Sequence, residues 1–255
     1  MNNNSVLNMD GVQKVFFPGT ANQRHILKNI NLNINQGDFI SVIGNNGAGK
    51  STLLNTVAGT LIADAGTIEI AGNDITKKPV AGRSKWISRV FQDPKLGTAG
   101  DLTVEQNLSI AINRKRHFNL TWFKSKSERN HFKEVLAKLD MGLENRLDTQ
   151  AKYLSGGQRQ VLSLIMATLS KPNLLLLDEH TAALDPKTSE AVMKLTNQII
   201  KENNLTVLMI THKMEDALKY GNRLLMLQDG EIKVNVSGDE KQQLEESDLM
   251  EMFES

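Results

Sequence analysis

The 255-residue chain reads as an α/β fold in which helices cover a mixed or parallel sheet. Three observations predict it. A strand-like run, Asp38–Ile43, leads through a glycine-rich turn into the helically spaced segment Lys50–Gly59. Two short runs, Leu174–Leu177 and Thr206–Ile210, are almost wholly apolar, as strands buried on both faces are, and a helix-like stretch, Lys187–Lys201, separates them. Between about Pro94 and Ser170 no strand pattern occurs, and the apolar residues keep helical spacing.

The elements follow in order. Short β-prone pieces, Val12–Phe17 and Asn29–Ile34, precede the first buried strand, and Gly66–Gly72 reads as a strand and turn that closes a small β-rich portion before about residue 92. Helices are expected over Val104–Ile112, Glu128–Leu139 and Gly157–Leu169. In the third, Val161, Leu164, Ile165, Thr168 and Leu169 recur at helical intervals and are assigned to the core. Near the end, Arg223–Gln228 and Glu231–Val236 flank Asp229-Gly230, a favoured two-residue turn, and read as a hairpin. The tail Asp239–Ser255 is acidic and polar, and a solvated final helix is expected there.

Composition narrows the function classes. With 30 Lys and Arg against 29 Asp and Glu the net charge is +1, so no nucleic-acid partner is expected. There is no cysteine, which excludes thiolate metal sites and cysteine nucleophiles. The N-terminal residues lack a secretion-signal pattern, and the apolar runs fall far short of the roughly 18 residues that span a bilayer. A soluble, cytoplasmic chain is expected, with any membrane role supplied by a partner.

The stretch Gly44-Asn45-Asn46-Gly47-Ala48-Gly49-Lys50-Ser51 fits G-x-x-x-x-G-K-S after a strand and at the head of a helix, with Thr52 next. Glycines let the backbone wind tightly enough to aim N–H groups at phosphate oxygens, and the helix N-terminus adds partial positive charge. Lys50 is expected to bridge the β- and γ-phosphates of ATP, and the Ser51 hydroxyl to bind Mg²⁺. Asp178 and Glu179 follow four leucines, so they emerge at the carboxyl end of a buried strand, where doubly wound sheets keep their ligands. Asp178 suits a Mg²⁺ role, and Glu179 can polarise the water that attacks the γ-phosphorus.

Leu154-Ser155-Gly156-Gly157-Gln158, followed by Arg159-Gln160, resembles the signature sequence of the ATP-binding-cassette (ABC) ATPases. Ser155 and the glycine N–H groups at a helix start would make a second phosphate nest. The resemblance covers Val12 to about Ile232. It implies a P-loop NTPase with an ABC-type core, an N-terminal antiparallel β subdomain and a helical signature subdomain. The divisions implied are about 1–93 and 171–238 for the catalytic and β parts, 94–170 for the helical subdomain and 239–255 for the tail.

The resemblance implies further roles. Two copies would sandwich two ATP head to tail, with Ser155, Gly156, Gly157 and Gln158 of one capping the nucleotide held by the other. Gln92, in VFQDP, matches the glutamine that senses Mg²⁺ and the attacking water; Asp185, in ALDP, matches the residue that crosses the dimer seam; His212 matches the switch histidine that reaches the γ-phosphate. Lys14-Val15-Phe16 resembles the pattern whose aromatic stacks on adenine, with Phe16 the choice and Phe17 the alternative. One departure is His180, where proline is commoner.

The partners implied are permease subunits in the membrane, met through a groove lined by Asp93–Asp101, and a substrate-binding protein. Arg114–Lys126, with its basic residues beside Trp122 and Phe123, is either a solvated helical face or a contact with permease or lipid headgroups. The variant resembles a bacterial subgroup of uptake ATPases, which implies import of a small solute such as an amino acid, held at the inner face of the membrane. The short stretch after Gly238 argues against a C-terminal regulatory domain. The alternative is an ATPase of an assembly pathway, of the iron–sulfur type.

Overall fold

The computed structural model describes residues 4–113 and 126–254, and the chain falls into two compact units. Unit 1 comprises the residues up to Ser88, Asn173–Glu179 and those from Asn204 onward; unit 2 comprises Arg89–Pro172 and His180–Asn203. The basic-aromatic stretch that begins at Arg114 lies outside the described residues except for Lys126.

The strands are β1 (Ser5–Phe16), β2 (Arg24–Asn35), β3 (Phe39–Ile43), β4 (Ala65–Ile70), β5 (Asn73–Asp74), β6 (Ile87–Val90), β7 (Leu174–Asp178), β8 (Val207–Ile210), β9 (Arg223–Gln228) and β10 (Glu231–Ser237). One sheet, ordered β2-β1-β4-β5, is antiparallel throughout. The other is ordered β10-β9-β3-β8-β7-β6, with β3 parallel to both β8 and β9, β7 parallel to β8, and β10 antiparallel to β9. The last hairpin turns through Asp229 at φ 49° and Gly230 at φ 82°, the paired left-handed residues that its Asp-Gly sequence predicts.

The first strand opens at Ser5 rather than Val12. Val6, Leu7 and Met9 are already buried, but Asn8 among them and Asp10 and Gly11 after them mimic a turn. Gly11, at φ 60°, sits where the register with β2 shifts, so the turn-like residues mark a bulge inside one strand.

The helix α1 (Lys50–Ala58) contributes Leu53, Leu54 and Val57 to a core that also takes Leu7, Met9, Ile30, Ile34 and Ile68 from one sheet and Ile40, Val42, Leu176 and Leu208 from the other. Its carboxyl end is closed by Arg83, the last residue of α2 (Val80–Arg83). That side chain is fully buried and donates to the carbonyls of Thr56 at 2.6 Å and Val57 at 2.9 Å. Burial lowers its pKa to about 10, so a full positive charge faces the helix carboxyl end at neutral pH.

A smaller core joins Ile43, Leu224 and Met226 to Ala217 and Leu249, and it corrects the expectation of a solvated tail. Ala217 belongs to α7 (Met214–Lys219). The tail forms two helices, α8 (Gly238–Gln242) and α9 (Glu246–Glu254). Leu249 is fully buried and Met252 and Phe253 pack beside it, because four residues of helix return the sparse apolar positions to one face. Lys241 is buried as well, donating to Tyr220 O at 2.6 Å and Gly221 O at 2.8 Å, and burial pulls its pKa down to about 8.

Unit 2 contains α3 (Val104–Ile112), α4 (Lys126–Ala137), α5 (Gly156–Leu169) and α6 (Pro186–Glu202). Thr103 and Gln106 form a reciprocal capping box at the head of α3. Leu108, Phe132, Leu136, Val161, Leu164, Ile165, Val192 and Met193 are buried here, in keeping with the helical spacing. Among the described residues no helix is long and apolar enough to cross a membrane.

Candidate functional site

In unit 1 the loop Gly44–Gly49 joins β3 to α1. Gly44, Gly47 and Gly49 have φ of 156°, 86° and 104°, and Gly49 is the residue at which α1 begins. A Cβ on Gly44 would lie 2.2 Å from the Leu227 carbonyl oxygen, and one on Gly49 would lie 2.9 Å from that of Ile26. Gly44 and Gly49 are thus required by backbone neighbours as well as by their dihedrals, and Gly47 by its dihedral alone. Gly230 N donates to Ala48 O at 3.1 Å, which fastens the loop to the final hairpin.

Asn45, Asn46 and Gly47 are exposed at the loop crest, while Ala48 and Gly49 are buried; Ser51 is exposed and Thr52 half-buried. Lys50 is buried and folds back over the loop, donating to Gly44 O at 2.7 Å and Asn45 O at 3.0 Å. Burial holds its ammonium pKa below the ordinary lysine value, and the charge of Glu179 partly offsets that. No side chain caps α1, and the first N–H groups of any helix have no partner within it. Such an end suits a phosphate chain.

Asp178 ends β7, half-buried, opposite Ile210 of β8. Glu179 follows with φ 47°, a left-handed conformation unusual for glutamate, and its N–H donates to Ile210 O at 3.1 Å. Its Oε1 lies 2.5 Å from Nε2 of His212, which stands just beyond β8 and is 47% exposed. The structure therefore brings together two residues that the sequence placed 33 positions apart. Phe16 ends β1 partly exposed, and Phe17 is 64% exposed with φ 53°; the rings meet edge to face at 6.5 Å.

In unit 2, Ser155 caps α5 by accepting from Gln158 N at 3.3 Å, and Gln158 Oε1 accepts from Ser155 N at 3.3 Å, closing a capping box. Ser155 and Gly156 are exposed. Gly157 is buried, and a Cβ there would meet Thr188 Cγ2 at 2.4 Å, so its lack of a side chain is a packing requirement that the signature reading overlooked. Asp185 caps α6 by accepting from Thr188 N at 3.1 Å, and hydrogen bonds from Thr188 hold its carboxyl below the usual range. Gln92 is exposed, and the carbonyl of Phe91 before it accepts from the buried Gln160 at 3.2 Å. His180, next to Glu179 in the chain, is buried.

Among the described residues no three His, Cys, Asp or Glu side chains cluster so as to hold a metal. That is compatible with Mg²⁺, which takes one or two protein ligands plus phosphate oxygens and waters. The exposed Ser51 hydroxyl and the Asp178 carboxylate are donors of the right, hard-oxygen kind.

Residues 27–182 match the family model described as ABC transporter. The chain is 43% identical over 249 residues to a tyrosine transport ATP-binding protein of Clostridioides difficile, covering 98% of this chain and 99% of that protein. It is 36% identical over 208 residues to the thiamine import ATP-binding protein ThiQ of Salmonella typhimurium, covering 82% and 83%. Among solved structures it resembles the dimeric post-hydrolysis state of the ATP-binding cassette MJ0796 bound to ADP and Pi. There the TM-score is 0.73 at 29% identity, over 91% of this chain and 98% of that one.

Proposed function

Because the chain belongs to the ABC transporter family and is one of its ATP-binding ATPases, we propose that two copies sandwich two Mg·ATP head to tail and drive a separate membrane permease. The supporting observation is the Lys50 loop, where three left-handed glycines and an uncapped helix head lie in the same unit as the paired Glu179 and His212.

In this reading the N–H groups of Gly44–Thr52 cradle the phosphates, and Lys50 exchanges its two carbonyl partners for β- and γ-phosphate oxygens. Ser51, Asp178 and Gln92 would hold Mg²⁺, whose charge would offset that of the phosphates. Glu179 accepts the proton of the attacking water as the water oxygen bonds to the γ-phosphorus and the bond to the ADP oxygen breaks. His212 orients that carboxylate and donates to the γ-phosphate. Phe16 stacks on adenine.

From the partner copy, the Ser155 hydroxyl donates to the γ-phosphate while still accepting from Gln158 N, since a hydroxyl does both. Gly156 and Gly157 add backbone N–H groups, Gln158 keeps the turn closed, and Asp185 faces the seam. The relatives named for tyrosine transport and thiamine import favour uptake of a small solute such as an amino acid. The chain would then sit on the cytoplasmic face of the membrane beside a permease and a substrate-binding protein.

The test is Glu179→Gln, which keeps size and hydrogen bonding but cannot take the proton. Turnover should fall on the order of 10²-fold or more while Mg·ATP binding persists. Wild-type turnover in that variant refutes the assignment of the base.

A further inference from the structure

Asp64 lies outside the chemistry just described, yet both of its carboxylate oxygens are committed. Oδ2 accepts from the backbone N–H of Val15 at 2.6 Å, and Oδ1 accepts at 3.1 Å from the Lys14 ammonium, which also donates to Ile62 O at 2.9 Å. Burial works against the charge, but the hydrogen bonds from Val15 and Lys14 hold the carboxyl below its usual range, so it is ionised at neutral pH. All of these residues belong to unit 1.

The sheet explains why a carboxylate is needed there. β1 is paired with β2 as far as Phe16, opposite Arg24, but its pairing with β4 ends at Gln13, opposite Ala65. Residues 14–16 run on past the start of β4. Asp64 N still donates to Gln13 O at 2.9 Å, and the Asp64 side chain then takes the N–H of Val15, standing in for the strand that is no longer alongside. The segment held in this way ends in Phe16. Its cross-strand partner Arg24 lies two residues, about 7 Å of strand, from Ile26. The Ile26 carbonyl oxygen is the atom that a Cβ on Gly49 would meet at 2.9 Å, so the strand pair that carries Phe16 abuts the Lys50 loop. We infer that Asp64 is a positioning residue for the base of the nucleotide: by gripping Val15 N–H it holds the end of β1, and with it the Phe16 ring, in place beside the Lys50 loop. The inference rests on Phe16 being the adenine platform. Its effect falls on the base and not on the phosphates.

Calorimetric titration of the full-length chain tests it with two ligands, Mg·ATP and inorganic triphosphate with Mg²⁺, which offers phosphates and no base. Phe16→Ala should weaken ATP binding about tenfold, within the range for one base stacked on an aromatic ring, and Asp64→Ala about fivefold, while triphosphate binding to Asp64→Ala stays within about twofold of the wild type. In the Phe16→Ala background Asp64→Ala should cost less than about twofold more, because the ring that it positions is gone. Wild-type ATP affinity in Asp64→Ala overturns the inference. So does an equal loss for ATP and triphosphate, which marks a general loosening of the fold, or an undiminished loss on top of Phe16→Ala. The single Phe16 variant separates the two readings. If Phe16→Ala binds ATP as the wild type does, the adenine platform and the inference fall together, whereas a weakened Phe16→Ala beside a normal Asp64→Ala removes the inference alone.

Discussion

Two helices of this chain start at glycine-rich turns, and they start in opposite ways. At the head of α1, Gly49 has φ 104° and no side chain caps the helix. At the head of α5, Ser155 has φ −63° and ψ 160°, and a reciprocal capping box closes the end. The first terminus leaves donors for a ligand to satisfy, and even its lysine is parked on its own loop carbonyls. At the second, the turn itself satisfies Ser155 N and Gln158 N, and the Ser155 hydroxyl that accepts there can still donate. In the proposed reading the first end binds the nucleotide and the second lids it.

The glycines differ in the same sense. Gly44 and Gly49 beside Lys50 are demanded by left-handed dihedrals and by carbonyl oxygens of neighbouring backbone. Gly157 is demanded by one methyl group of Thr188.

The comparison is sharpened most by turnover. Lys50→Ala should lower kcat/KM on the order of 10²–10³-fold, the loss usual for one donor to a developing charge, whereas Ser155→Ala, which leaves the glycine N–H groups in place, should cost about tenfold. Equal losses would erase the distinction. A smaller effect separates the glycines. Gly157→Ala should destabilise the fold by about 1–3 kcal/mol through overpacking, and Thr188→Ser in the same chain, by removing the offending methyl, should recover most of it. Urea unfolding of the single and double variants measures this. Failure of the second change to rescue would mean that Gly157 is required by its backbone.

Much of this was legible in the sequence, and the rest was not for definable reasons. The Lys50 loop and β3 could be read because their spacing is local: eight consecutive residues specify a turn, and four apolar residues in a run of five a buried strand. The same holds for α3, found over Val104–Ile112 as its periodicity predicts, and for the Asp229-Gly230 hairpin. What escaped depends on partners distant in the chain. Nothing near Arg83 announces that its guanidinium closes α1, and nothing near Leu249 announces a core shared with Ile43 and Met226. His180 stood out only as a departure; its bond to Thr196 becomes visible once α6 has wound back past it. Gly157 was read for phosphate alone because the Thr188 methyl lies 31 residues away.

The claim that the two helix heads serve one nucleotide from two copies is tested most directly by the mass in solution of Glu179→Gln with Mg·ATP, measured by light scattering. Twice the chain mass is expected, returning to that of a single chain when Ser155→Phe is added while ATP remains bound. A single-chain mass for Glu179→Gln saturated with Mg·ATP would contradict it.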